Sequence, residues 1–287
     1  MKIFKISLCI LLITAMLGAC KNATLDKTTP IENYKIVSIG GAITETLFAL
    51  DLGSNIQAID VTSTYPEQIN NLPKLGHISN VSLEALLSFD PDYIVANNDP
   101  AGTGLFQQLK NTSLKLELYE APTSVDDTKS IINLIGETFD KKSEATALIN
   151  QLDADINELN DFLQGKAEQP KVLFLYARGS DMLMVGGKDT PADHMIKLAG
   201  GTNAANDFNN FKPLSPEAAI EANPDVILVF DSGLRSLNGP EGVLSLPGIA
   251  ETNAAKNKKV VAMEGHYLLG FGPRVGKAAL ELAKAIR

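Results

Sequence analysis

The chain of 287 residues carries 34 acidic against 25 basic side chains, a formal net charge of −9. That balance repels phosphate backbones and excludes nucleic acid as an expected partner. Both cysteines, Cys9 and Cys20, fall in the first segment, so the remainder has no thiol for a disulfide or a thiolate metal cluster.

That first segment, MKIFKISLCILLITAMLGAC, places Lys2 and Lys5 ahead of an apolar run from Ile6 to Leu17, with small residues following. The run is too short and wrongly flanked for a spanning helix, and residues 1–19 read as a secretory signal peptide. Leu17-Gly18-Ala19-Cys20 resembles the bacterial lipobox, in which the cysteine becomes the lipidated first residue. The expectation is an extracytoplasmic lipoprotein, in the periplasm or at the cell surface, anchored to a membrane by lipid on Cys20. The alternative is a plain secretory signal cut near Ala19, with Cys20 left free. Residues 20–33 are polar with few large apolar side chains and read as a tether between lipid and domain.

Order is expected from Tyr34. KIVSIGG, IQAIDVT and DYIVANN are short β-branched runs bounded by Gly, Asp and Asn, and AITETLFALDLG between the first two has helical spacing that stops at Gly53. This alternation marks residues 34–140 as an N-terminal α/β lobe. From Ser124 to Ala167 there is no proline, and apolar residues recur at helical intervals. Two successive helices are predicted, the second running roughly from Lys142 to Gln164 with Gly165 near its end, so that residues 141–167 form a rigid connecting helix. A second α/β series occupies residues 168–287: PKVLFLYARGS, TPADHMIKLAGG, SPEAAIEANPD, VILVFD and KKVVAMEG, closed by the helix GKAALELAKAIR. The expected fold class is α/β, two Rossmann-like lobes joined by a single long backbone helix.

An internal repeat links the lobes. Ser82-Leu83-Glu84-Ala85, followed by Pro91-Asp92 and an apolar strand, recurs at constant offset as Ser215-Pro216-Glu217-Ala218, followed by Pro224-Asp225 and another strand. In each copy the serine is placed to cap a short helix, and the glutamate sits in the first turn, where the helix dipole favours it. Glu84 and Glu217 therefore have two readings: stabilisers of a helix start, or one carboxylate per lobe presented to a single partner.

Two lobes on one connector leave a cleft, lined by loops that leave the carboxyl ends of the strands. Tyr65, His77, Arg178, Met182 and Tyr267 fall on such loops, His266 precedes Tyr267 at a strand end, and Arg274 follows in GFGPR. A phenolate is a hard oxygen donor for ferric iron and a known axial ligand of haem. Arg178 or Arg274 could supply the cation that favours the anion, or bind carboxylates. Taken alone, Tyr65 reads as a packed or surface loop tyrosine, His77 as a solvated side chain, and His194 as a partly exposed residue of the helix beginning near Pro191. Enzyme readings fare worse. No G-x-S-x-G or H-E-x-x-H occurs; in GFGPRVGKA the spacing from Gly272 to Gly276 is one residue short of a phosphate loop, and Ala278 stands in place of its Ser/Thr. A secreted α/β hydrolase, the rival from another class, lacks a visible nucleophile and base, so a binding protein is expected and not an enzyme.

VSIGGAITETLFAL, DVTSTYP, LPKLGHIS, TPADHMIKLAGGTNA, KPLSPEAAIEANPDVIL and YLLGFGPR run in this order from about Ile36 to the C-terminus. Together they resemble the substrate-binding components of bacterial haem ABC importers, the HmuT type, within the wider class that binds haem, vitamin B12 and ferric siderophores. The resemblance implies class III periplasmic binding protein architecture, with haem (ferric protoporphyrin IX) as the transported ligand. It also implies a monomer that delivers haem to an ABC permease and ATPase complex. On that resemblance Tyr65 matches the tyrosine that ligates haem iron, and Glu84 and Glu217 match the pair that docks onto permease arginines. Arg178 and Arg274 match positions rich in arginine, with propionate, phenolate and salt-bridge roles all open. His77 departs from the tyrosine common at its position, which leaves a Tyr65/His77 pair, Tyr65 alone, or two haems with one ligand each. A ferric siderophore or corrinoid carrier would keep the two glutamates without needing Tyr65.

Overall fold

The β-branched runs of the first series become buried strands. The computed structural model describes residues 34–287, so the signal peptide, Cys20 and the tether expected at 1–33 lie outside the described residues. β1 (Ile36–Ile39), β2 (Ile56–Ile59), β3 (Tyr93–Asn97) and β4 (Lys115–Tyr119) form a parallel sheet in the order β2-β1-β3-β4. Every residue of β1 is buried, as a parallel strand covered on both faces requires. α1 (Gly41–Ala49), α2 (Leu83–Leu87) and α3 (Thr103–Leu109) lie in the connections between these strands.

The first helix ends before Gly53, where the sequence places its stop. Its last turn closes through the Leu52 N–H to the Leu47 carbonyl (2.9 Å), with Asp51 in left-handed backbone at φ 57. Aspartate tolerates that conformation through its short polar side chain, so a glycine is not needed there. Gly53 answers to packing instead: a Cβ on it would stand 2.5 Å from the Phe48 ring.

α4 (Val125–Thr138) begins at Ser124, whose hydroxyl accepts the Asp127 N–H, and α5 (Lys142–Leu163) follows as the long helix. The second series then runs β5 (Lys171–Ala177), β6 (Leu183–Gly186), α6 (Pro191–Leu198), β7 (Thr202–Asn203), β8 (Phe211–Pro213) and α7 (Pro216–Ala222). It continues through β9 (Val226–Phe230), α8 (Asp231–Ser236), α9 (Pro240–Leu244), α10 (Asn253–Lys256), β10 (Val260–Met263), α11 (Gly265–Leu269) and α12 (Val275–Ala285). The sheet order is β10-β9-β5-β6-β8, with β7 paired to the start of β5. β10, β9 and β5 are parallel; β6 turns back antiparallel to β5 and β8 antiparallel to β6, so β8 runs with β5 again.

The repeated residues have matching structural work. Ser82 accepts the Ala85 N–H at 3.1 Å and Ser215 the Ala218 N–H at 3.4 Å, capping α2 and α7. In the Pro-Asp steps that follow, Asp92 accepts the Lys35 N–H at 2.9 Å and Asp225 the Lys171 N–H at 3.0 Å, which fixes the entry of β1 and of β5. Each sheet packs its own apolar core, and α5 lies against both α4 and α12. Gly276 of α12 permits that approach, because a Cβ there would meet Asp155 Cβ at 2.8 Å.

Candidate ligand-binding cleft

Residues at the carboxyl ends of β1, β2 and β3 and of β5 and β9 line one cleft of about 610 Å³. Gly40, Gly41 and Ala42 bring backbone to its wall, Val61, Phe230 and Leu269 give it apolar surface, and Asp60, Asp99 and Arg178 are its charged side chains besides two histidines.

The loop after β2 is held from within. Asp60, 2% exposed, accepts the Gly40 N–H (2.9 Å), the Thr62 N–H (3.1 Å), the Thr62 hydroxyl (2.5 Å) and the Ser63 hydroxyl (2.8 Å). Ser63 Oγ also meets Thr44 Oγ1 at 2.7 Å, and Thr44 Oγ1 meets Ser38 Oγ at 2.7 Å, so a buried hydroxyl chain ties the loop to β1 and α1. A carboxylate that takes several donors in a dry site fixes their geometry closely. Tyr65 is carried at the end of this braced segment, and its neighbour Thr64 lines the cleft.

Tyr65 itself is 42% exposed and lines an adjoining pocket of about 310 Å³ together with Arg274. The Arg274 guanidinium lies 3.5 Å from the Tyr65 ring centroid and 4.8 Å from that of Tyr267, so one cation stands against two phenol rings. Behind it is Glu45 of α1, 4% exposed, which accepts from Arg274 Nε (2.8 Å) and Nη2 (2.9 Å) and sits 3.1 Å from His266 Nε2. Burial pushes the Glu45 carboxyl up, but hydrogen bonds from His266 and Arg274 outweigh it and hold the group below its ordinary value. Burial likewise opposes the Arg274 charge, and the Glu45 carboxylate more than compensates, raising that guanidinium. The Tyr267 phenol is raised as well, against the pull of Arg274: burial and the Glu281 carboxylate push it up to about 12, so it stays neutral at physiological pH.

These contacts join the two halves of the chain. Glu45 reaches Arg274 and His266, Thr64 Oγ1 donates to Glu264 at 3.2 Å, and Thr128 Oγ1 donates to the Phe271 carbonyl at 2.7 Å. Sequence reasoning missed Glu45 and gave Asp60 no role. The available signal was that Glu45 is the single charged residue of a helix otherwise made of apolar residues, glycine and two threonines; a charge buried there must be paired.

Of the residues expected in the cleft, His77, Arg178 and His266 line it, Tyr65 and Arg274 line the adjoining pocket, and Met182 and Tyr267 line neither. Met182, 48% exposed, lies at the hairpin between β5 and β6, where its carbonyl accepts the Arg178 N–H at 3.0 Å; the turn sends its side chain to solvent. Arg178 is exposed, stands 5.5 Å from the Tyr176 ring and makes no ion pair among the described residues. His77 is exposed, and its Nδ1 accepts the Ser79 N–H at 3.3 Å and contacts Ser79 Oγ at 2.9 Å. His194 is half-buried, with its ring edge-on to Phe271. Glu84 and Glu217 are both exposed in the first turns of α2 and α7.

A family model described as periplasmic binding protein matches residues 36–267. Among solved structures, the periplasmic haem-binding protein RhuT from Roseiflexus sp. RS-1 in apo form aligns with a TM-score of 0.84 at 36% identity, covering 88% of this chain and 98% of that one. The periplasmic haem-binding protein BhuT in complex with two haems aligns with a TM-score of 0.82 at 32% identity, again over 88% and 98%. By sequence, an uncharacterised ABC transporter substrate-binding lipoprotein of Bacillus subtilis, YvrC, is 26% identical over 264 residues, 91% of this chain and 82% of the relative. A vitamin B12-binding protein of Yersinia pestis is 25% identical over 251 residues, 87% of this chain and 85% of the relative. Two α/β lobes about a cleft, matched over most of the length, make the chain a member of the periplasmic binding protein family, a substrate-binding protein and not an enzyme.

Proposed function

We propose that the protein captures ferric haem in the cleft between its lobes and delivers it to the permease and ATPase of an ABC importer. The observation that carries the reading is the exposed Tyr65 phenol beside the cleft with the Arg274 guanidinium 3.5 Å from its ring. Ferric iron asks for an anionic oxygen, and a cation next to that oxygen supports the bond. Tyr65 lines the adjoining pocket, so ligation of iron in the cleft requires its side chain to turn towards the cleft that its neighbour Thr64 lines. The haem-binding descriptions of RhuT and BhuT support the same ligand.

The remaining residues take roles by their chemistry. Arg178, a cation at the cleft wall with no carboxylate partner among the described residues, anchors a propionate. His77 lines the cleft with Nδ1 engaged by Ser79 and takes the role of a polar contact to a propionate. His266, held by Glu45, shapes the cleft wall. Val61, Phe230 and Leu269 offer apolar surface to the porphyrin. Glu84 and Glu217 dock onto the permease, and lipid on Cys20 keeps the carrier, a monomer, at the membrane surface.

The vitamin B12-binding relative makes a corrinoid the second reading. Equilibrium dialysis of the purified protein against ferric haem and against cyanocobalamin separates the two. Retention of haem with cyanocobalamin unretained supports the proposal, and the reverse pattern transfers the cleft to a corrinoid.

A further inference from the structure

The repeat carries more than its glutamates. In α2, Glu84 and Ala85 are exposed, Leu86 is buried and Leu87 is 41% exposed; in α7, Glu217 and Ala218 are exposed, Ala219 is buried and Ile220 is 48% exposed. The glutamate and the large apolar side chain are three residues apart in each helix, hence neighbours on one face. A single exposed leucine is ordinary on any protein surface. Here two large apolar side chains, Leu87 and Ile220, occupy corresponding positions of two lobes, each beside an exposed carboxylate that makes no ion pair among the described residues.

Each helix follows a segment that leads away from the cleft wall. α2 follows the segment in which His77 and Ile78 line it. α7 follows β8, whose Pro213 pairs with Met184, itself paired with Tyr176 of the cleft wall. Each lobe therefore carries one patch of carboxylate plus apolar side chain, on a helix joined to the cleft wall by a short segment in one lobe and by two strand pairings in the other.

We propose that Leu87 and Ile220 are docking residues which, with Glu84 and Glu217, form a two-point surface for a partner offering two equivalent faces, each a basic residue beside an apolar seat. Charge complementarity requires the cation, and the repeated patch requires the partner to be repeated as well. The occupant is the importer's permease, with two like subunits or halves at the cleft mouth; the proposal rests on the permease reading above. The carboxylates steer and register the encounter, and the apolar pair supplies contact that survives salt.

The test is binding of the purified protein, with ferric haem present, to its cognate permease–ATPase complex in nanodiscs at low and high salt. Leu87→Ser and Ile220→Ser are compared singly and together with the Glu84→Ala/Glu217→Ala pair. Leu134→Ser serves as a control, since Leu134 of α4 is 44% exposed and stands outside the repeat. Each apolar exchange is expected to weaken binding about tenfold and the pair about a hundredfold, with little dependence on salt. The glutamate pair is expected to lose binding in a salt-dependent manner, while Leu134→Ser and haem binding in every variant stay as in the wild type. Wild-type binding by the double apolar variant alongside loss in the glutamate pair overturns the apolar docking residues and leaves the permease reading standing. Equal loss in Leu134→Ser also overturns the proposal. Absence of wild-type binding overturns both the proposal and the permease reading.

Discussion

Glu45 is the one charged residue of α1 and takes its partners from residues more than two hundred positions away. Glu45→Ala would leave Arg274 without its carboxylate partner, a loss on the order of 3–5 kcal/mol for a broken buried pair; urea denaturation at neutral pH measures it. The sign of the pH dependence follows from the lowered carboxyl. Between its native value and the ordinary value near 4.5, the unfolded chain binds more protons than the folded one, so stability rises with pH. The contribution is complete above that ordinary value and disappears as pH falls through the native one. Glu45→Gln should flatten this acid limb, and an unchanged limb would contradict the account. Asp60 makes a second case. Asp60→Ala leaves four donors of the Tyr65 loop without their acceptor, and the expected outcome is a loss of about 2–3 kcal/mol in stability with a weakening of haem binding of at least about tenfold.

At the scale of elements, close packing of α12 on α5 makes a glycine the better helix residue at one position. Gly276→Ala should raise helix propensity yet lower stability by about 1–3 kcal/mol, because the added methyl meets Asp155 Cβ at 2.8 Å. A gain in the thermal midpoint would show that the two helices separate at little cost. Strand and helix alternation, the long helix and the repeat were legible in the sequence because each rests on local periodicity. β4 was not: in KLELY two charged residues interrupt the apolar ones, and its place at the sheet edge comes from pairing with β3. β6 and β8 were hidden for a similar reason, being short segments whose pairing is set by distant neighbours. Of the site, the segment around Tyr65 stood out as a motif, and the strand-end rule pointed to His77, Arg178 and His266. The bracing by Asp60 and the ion pair to Glu45 depend on the folded approach of remote elements, which no local pattern records.

At the scale of the whole molecule, ties between the lobes accompany the long helix among the described residues: Glu45 with Arg274 and His266, Thr64 with Glu264, and Thr128 with Phe271. Such bracing predicts small lobe movement on binding, so the small-angle scattering radius of gyration should change by less than about 1 Å when ligand is added. A wide hinge closure would break those ties and contradict the arrangement. The central claim is that the cleft holds ferric haem through the Tyr65 phenolate. Its most direct measurement is titration of the purified protein with ferric haem, followed by absorption and electron paramagnetic resonance, in the wild type, Tyr65→Phe and His77→Ala. The account predicts a saturable ferric phenolate signature that Tyr65→Phe abolishes and His77→Ala leaves in place. A wild-type spectrum retained in Tyr65→Phe, or no saturable spectrum at all, would contradict it.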